Sequence, residues 1–143
     1  MTEIIPKLFV GTREDAVALG AVVPPYWLCL AVTEYRNELP NEPIGSIDMQ
    51  FMDRKLGCAM VDKLDAIAEQ IELGLGSFRK VLVHCVHAHE RSPLAIVWYL
   101  AWSGRFLTID AAYEHVVKMH PGAERRDKWL RGATPNRGKL GAS

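Results

Sequence analysis

The sequence carries no surplus charge of either sign. Its 17 Lys and Arg stand against 17 Asp and Glu, so nothing global points to nucleic acid or to an anionic membrane. Cysteine is scarce. The three residues, Cys29, Cys58 and Cys85, show no metal-ligand spacing, which argues against a metal site. Cys29 and Cys58 fall in apolar segments, where buried free thiols are usual. An odd number of cysteines fits a reducing cytoplasm better than an oxidising compartment. Long apolar runs are missing too. The longest, 21–32, is broken by Pro24-Pro25 and is too short to span a bilayer. The N-terminus lacks the cationic-then-apolar pattern of a secretory signal, and no internal repeat or low-complexity stretch is visible. These absences predict a cytoplasmic chain with no membrane segment, no metal and no cofactor.

What is present is a strong alternation of short apolar runs and helical periodicity. With 143 residues, of which 49% are hydrophobic, the length suits one domain with a full core. We expect that domain over 1–133, followed by a flexible tail over 134–143 rich in Gly, Pro and polar residues. Residues 4–11 read as one strand ending at Gly11. Thr12 is placed to cap a short helix running to Ala18. The continuous apolar run 27–32 reads as a buried strand, and 34–45, polar with two prolines, as a loop. Residues 46–52 alternate, with Ile47, Met49 and Phe51 on one face and Asp48 and Gln50 on the other, which is strand periodicity. From 57 to 73 the period becomes helical through Val61, Leu64, Ala68 and Ile71, with Gly74 and Gly76 as its stop. Thr108 is a cap for a helix over 109–119, which Pro121-Gly122 breaks, and 124–130 reads as a last short helix. Strands alternating with helices predict an α/β fold, with a mostly parallel central sheet of about five strands and helices on both faces.

One stretch carries chemistry: Val81-Leu82-Val83-His84-Cys85-Val86-His87-Ala88-His89-Glu90-Arg91-Ser92-Pro93. A β-branched apolar strand feeds a polar loop, which opens an apolar helix over 94–100. Loop amides and a helix N-terminus then aim donors at one point, an anion site. Cys85 ends the strand and Arg91 starts the helix, with five residues between them. A concentrated positive field favours the thiolate, which is the nucleophilic form. Arg91 can grip two oxygens of a phosphate in a fork. Ser92 offers a hydroxyl to the sulfur.

This pattern, His-Cys-x5-Arg-Ser after a Val-x-Val strand, resembles the signature of the cysteine-dependent protein tyrosine phosphatase superfamily, most closely its small dual-specificity branch. The Leu-aromatic-apolar-Gly run at 8–11 is similar to that branch's opening strand, and Pro135-Asn136 to a pair near the end of many such domains. The resemblance covers roughly 4–121, and only the loop is specific. It implies a phosphatase-type active loop between a central strand and the following helix. It also implies hydrolysis of phosphomonoesters on phosphorylated proteins, through a phosphocysteine and without metal. Phosphotyrosine is the first target, with phosphoserine and phosphothreonine beside it. Cys85 would be the nucleophile, and Val86, His87, Ala88, His89, Glu90 and Arg91 would cradle the phosphate. Ser92 would stabilise the departing thiolate, and His84 would be structural, its ring hydrogen-bonded to backbone near the loop. The chain departs from the family at Ala88, where glycine is usual. If the loop needs positive φ there, alanine costs about 1 kcal/mol.

The leaving oxygen needs a proton from outside the loop. Asp53 stands 32 residues before Cys85, a spacing that looks like the general-acid aspartate of dual-specificity phosphatases; Asp48 is the runner-up. The Trp-Pro-Asp triplet of the larger tyrosine-specific enzymes is replaced by Phe51-Met52-Asp53. His87 and His89 are expected on the loop rim, and Glu90 turned to solvent or to a basic partner. Residues 122–143 hold six basic against two acidic residues, most simply a solvated face. Trp98, Tyr99 and Trp102 read as core packing. Three alternatives stand beside the main reading: an RNA 5′-phosphatase of the same superfamily, whose loops can carry a histidine at the position of His87; a rhodanese-like sulfurtransferase; and a catalytically weak phosphate-binding module, motivated by Ala88.

Overall fold

The computed structural model describes residues 1–19, 26–35, 45–77 and 79–135. Seven strands, four α-helices and one 3₁₀ turn make up the described elements. The strands are β1 (Thr2–Ile5), β2 (Leu8–Gly11), β3 (Trp27–Ala31), β4 (Ile47–Asp48), β5 (Met52–Asp53), β6 (Cys58–Ala59) and β7 (Lys80–His84). The helices are α1 (Arg13–Ala18), α2 (Val61–Gly76), α3 (Arg91–Trp102) and α4 (Ile109–Met119), and the 3₁₀ turn spans Asp127–Leu130.

Five strands form a mixed central sheet in the order β1-β2-β7-β3-β4. Only β1 is antiparallel to its neighbour. Strand β7 lies in the middle, and its Val81, Leu82 and Val83 are fully buried, as a parallel strand covered on both faces demands. Its alternation sorts the core into two layers. Val81 and Val83 join Val10, Leu28 and Leu30 against α2, α3 and α4. Leu82 joins Cys29 and Ala16 of α1 on the opposite face, together with Phe9 and Trp27. Helices therefore cover both faces, but unevenly, three against one. Helix α3 is buried from Ser92 to Ala101, which suits an all-round apolar helix in a core. The polar tips of two of its aromatics reach carboxylates of α2: Trp98 Nε1 donates to Asp65 at 2.9 Å and Tyr99 Oη to Glu72 at 2.7 Å.

The caps behave as their chemistry requires. The Thr12 hydroxyl accepts from Asp15 N while the Asp15 carboxylate accepts from Thr12 N, a reciprocal capping box. Thr108 caps α4 through Ala111 N at 3.0 Å.

Several element readings are corrected. The single strand over 4–11 is a hairpin, because Pro6 has no N–H to pair and Lys7 takes a left-handed turn at φ 71°. The alternation over 46–52 serves two sheets. Ile47 is 44% exposed on the edge strand β4, whereas Phe51 is fully buried and leads into the separate β5–β6 pair. That pair also moves the start of α2 from 57 to Val61, with Gly57 in the turn at φ 67°. The short helix expected over 124–130 shrinks to Asp127–Leu130, since Glu124 N and Arg126 N donate elsewhere, to His89 O and to Tyr113 Oη. Helix α3 starts two residues before Pro93, which the first turn of a helix tolerates. The loop reading over 34–45, the proline break at 24–25, Asn136 and the tail beyond 135 lie wholly or largely outside the described residues.

Gly74 does not stop α2 but lies buried inside it. A Cβ there would meet Val81 Cγ2 at 2.8 Å and Leu28 Cδ2 at 2.9 Å, so glycine lets the helix sit directly on β7 and β3. Gly74→Ala is expected to destabilise the fold by about 1–3 kcal/mol through overpacking, despite alanine's better helix propensity. Urea unfolding measures this; an unchanged or higher midpoint would remove the close-approach explanation.

Candidate active site

The site follows from register. In the parallel ladder Gly11, His84 and Ala31 lie side by side. Whatever follows each of them in sequence therefore emerges at one carboxyl edge, the edge where open α/β sheets hold ligands. Cys85 leaves β7 there, and Thr33, Glu34 and Tyr35 leave β3 beside it. Backbone bonds seal the edge: Cys85 N donates to Gly11 O at 3.4 Å and Val32 N to His84 O at 3.0 Å.

A cavity of about 340 Å³ opens at this edge. Cys85, Val86, His87, His89, Glu90 and Arg91 line it from the loop, and Thr33 and Tyr35 from the end of β3. Cys85 is 4% exposed, and its Sγ lies 3.1 Å from the Ser92 hydroxyl, which is fully buried in the first turn of α3. The structure thus brings Cys85, Arg91 and Ser92 together with the whole loop. Ala88 faces the other way: its side chain is packed in the core, so only its backbone can address the cavity. Its φ is 59°, the left-handed conformation in which a Cβ costs about 1–2 kcal/mol.

Arg91 is held on several sides. Its Nε and Nη2 donate to the two carboxylate oxygens of Glu34. Its guanidinium carbon lies 5.2 Å from the ring centroids of both Tyr35 and Trp129, a planar cation between aromatic faces. Burial alone would pull its pKa down, but the pairing with Glu34 outweighs that and leaves it raised. Glu34, Tyr35 and Trp129 were not singled out in the sequence. The position of Glu34-Tyr35 just past a central strand was the available signal for two of them; for Trp129 there was none.

The other candidates fall around this centre. His84 is buried, and its Nε2 shares a 2.8 Å hydrogen bond with the Ser46 hydroxyl. His87 and His89 are exposed on the rim with ring centroids 6.0 Å apart. Glu90 pairs with Arg126 at 2.7 Å, and Arg125 with Asp110 and Asp127, so these two arginines of the basic segment are already neutralised by local acids.

Asp53 is on the β5–β6 hairpin. Its Oδ1 accepts from Lys55 N at 3.0 Å and Leu56 N at 3.1 Å, and it does not line the cavity. The hairpin is nonetheless tied to the rim. Arg54 stacks over Tyr35 at 5.1 Å, and Arg131 Nη2 donates to Leu56 O at 2.7 Å. Asp48 lines a different depression, beside Lys63. Among the described residues, no group of three His, Cys, Asp or Glu could hold a metal ion, and no helix is long and apolar enough to cross a membrane.

No family model matches the sequence, and no curated protein matches it either. Solved structures do. A mouse putative dual specificity phosphatase complexed with zinc tungstate has a TM-score of 0.73 at 20% identity, covering 91% of this chain and 81% of that one. Human DUSP28 has a TM-score of 0.70 at 19% identity, covering 99% of both chains. Human tyrosine phosphatase-like serine/threonine/tyrosine-interacting protein has a TM-score of 0.69 at 18% identity, covering 92% and 91%. The chain therefore has the fold of the dual specificity phosphatases.

The Glu34–Arg91 pair should matter to stability. Glu34→Gln keeps an acceptor but removes the charge facing a half-buried guanidinium, at a cost of about 1–3 kcal/mol. Urea titration followed by tryptophan fluorescence reads this. A loss below about 0.5 kcal/mol, the range of ordinary surface substitutions, would mean that the aromatic stack alone holds Arg91.

Proposed function

We propose that this chain is a metal-independent, cysteine-dependent phosphomonoester hydrolase acting on phosphorylated proteins, in the manner of the dual-specificity and tyrosine phosphatases whose fold it shares. The observation that carries this reading is the Cys85 thiol 3.1 Å from the Ser92 hydroxyl, in a loop whose far end presents Arg91 to the same cavity. The tungstate named with the mouse neighbour is a tetrahedral oxyanion, which supports a phosphate-sized ligand in this architecture.

In this mechanism the Cys85 thiolate attacks phosphorus. A sulfur–phosphorus bond forms as the ester oxygen–phosphorus bond breaks, and the leaving oxygen takes a proton from Asp53, for which the β5–β6 hairpin has to bring that carboxyl over a cavity it does not line here. Loop amides from Val86 to Glu90 and the remaining N–H donors of Arg91 hold the equatorial oxygens, where positioned donors stabilise charge in the transition state. Water then attacks the phosphocysteine, Asp53 takes its proton back, and the Ser92 hydroxyl stabilises the departing thiolate. Tyr35 supplies an aromatic wall for a phosphotyrosyl ring. Three free thiols suit a reducing cytoplasm.

A second reading, a phosphate-binding module with weak turnover, is favoured by two specific features. Glu34 already occupies two donors of Arg91, and the loop carries alanine at a positive φ. Tight oxyanion binding without hydrolysis would support it.

Two variants test the main reading. Cys85→Ser is expected to abolish turnover of an aryl phosphate while phosphate-analogue binding persists, because an alcohol lacks the acidity of a thiol. Residual activity above about one per cent, two decades of rate, would sink the nucleophile assignment. Asp53→Asn should slow a phosphotyrosyl peptide by roughly 10²-fold or more, an activated nitrophenyl ester less, and flatten the basic limb of the kcat/KM profile. Equal slowing of both substrates with the basic limb intact would make Asp53 structural only.

A further inference from the structure

We infer that His120 is the positioning residue that holds the 85–91 loop in its anion-binding shape, by pinning the carbonyl of Ala88. The inference rests on the proposed phosphatase reading for its consequence, but not for its geometry. His120, the residue that ends α4, places Nε2 2.9 Å from Ala88 O across 32 residues of chain. A carbonyl only accepts, so the ring donates from Nε2. In the neutral ring, Nδ1 then accepts from the Thr2 hydroxyl at 3.2 Å. The imidazole is thus fixed at both nitrogens, and its direction is set by a strand at the far edge of the sheet.

The pin falls on the one loop residue that needs it. Ala88 is a non-glycine at φ 59°, a conformation an alanine leaves readily unless its surroundings impose it. The next two residues are tied to the same segment: His89 O accepts from Glu124 N at 2.7 Å, and the Glu90 carboxylate pairs with Arg126 at 2.7 Å. Three consecutive loop residues are therefore anchored by the stretch 120–126.

Peptide planarity converts this anchoring into function. In a trans peptide the N–H points opposite to the C=O. With the Ala88 and His89 carbonyls held toward His120 and Glu124, neither of which lines the cavity, the amides of His89 and Glu90 are turned to the other side. There they serve as donors to an oxyanion. A glycine, usual at this position in the family this chain resembles, would take the angle without such a pin. Here the histidine supplies the constraint that an alanine cannot supply for itself.

The test is a double-mutant cycle on the full chain, His120→Ala and His120→Gln in both the Ala88 and the Ala88→Gly backgrounds. The readouts are hydrogen exchange of the loop amides, affinity for inorganic phosphate and vanadate, kcat and KM for an aryl phosphate, and Tm. His120→Ala is expected to speed exchange at His89 and Glu90 by about tenfold and to weaken oxyanion binding by about five- to tenfold, the scale of one lost hydrogen bond. His120→Gln, which keeps an N–H donor, should recover part of both. Ala88→Gly should shrink the loss, since glycine takes positive φ without help. If His120→Ala fails to fold, His120→Gln against Ala88→Gly gives a coupling of the same sign and smaller size. A fall in Tm with loop exchange and oxyanion affinity unchanged would overturn the inference, as would equal losses in both backgrounds. Should the wild type bind no oxyanion and hydrolyse no ester, the phosphatase reading fails while the exchange data still decide the pin.

Discussion

Everything in this molecule hangs on the parallel pairing of β7 with β2 and β3. That pairing aligns Gly11, His84 and Ala31 at one edge, so Cys85, the capped start of α1 and the Glu34–Tyr35 pair leave the sheet together. The core enforces the register. A slip of one residue would exchange Val81 and Val83 with Leu82, and hence the face under three helices with the face under one. The site is a by-product of packing in this sense: hydrophobic alternation along 81–83 decides where Cys85 stands.

The second organising feature is how the chain handles charge around the candidate site without carrying net charge. Glu90 lines the cavity, Glu34 and Glu124 stand behind residues that do, and each of the three has a basic partner. Glu34 is paired with Arg91, and Glu90 and Glu124 with Arg126. An oxyanion in the proposed site would therefore be met by loop amides and the start of α3 rather than by an excess of lysine and arginine. Glu34 is double-edged in this arrangement. It orients the guanidinium that a phosphate would use, and it takes two of its donors.

Local grammar was readable. The strand–loop–helix that starts at Val81, the Thr12 and Thr108 caps and the break at 121–122 are each written in neighbouring residues. So was the suspicion attached to Ala88, because an alanine in place of a usual glycine points to a backbone angle, and the angle is indeed positive. What was not readable is long-range. Glu34 meets Arg91 from 57 residues away and His120 meets Ala88 from 32, and such pairs leave no periodic trace. The alternation over 46–52 misled for a related reason. Ile47 and Phe51 satisfy one strand pattern on paper, but Ile47 lies in β4 of the central sheet whereas Phe51 precedes β5 of the separate pair, and only the fold can show where such a segment changes partners.

The central claim is that Cys85 bonds covalently to phosphorus during turnover. The most direct measurement is acid quenching of the chain while it hydrolyses a labelled aryl phosphate in the presence of chelator, followed by mapping of the label. The account predicts phosphate on the peptide holding Cys85 and nowhere else, with turnover unaffected by the chelator and blocked by vanadate. Hydrolysis that proceeds without label ever appearing on Cys85, or that chelator abolishes, would contradict it.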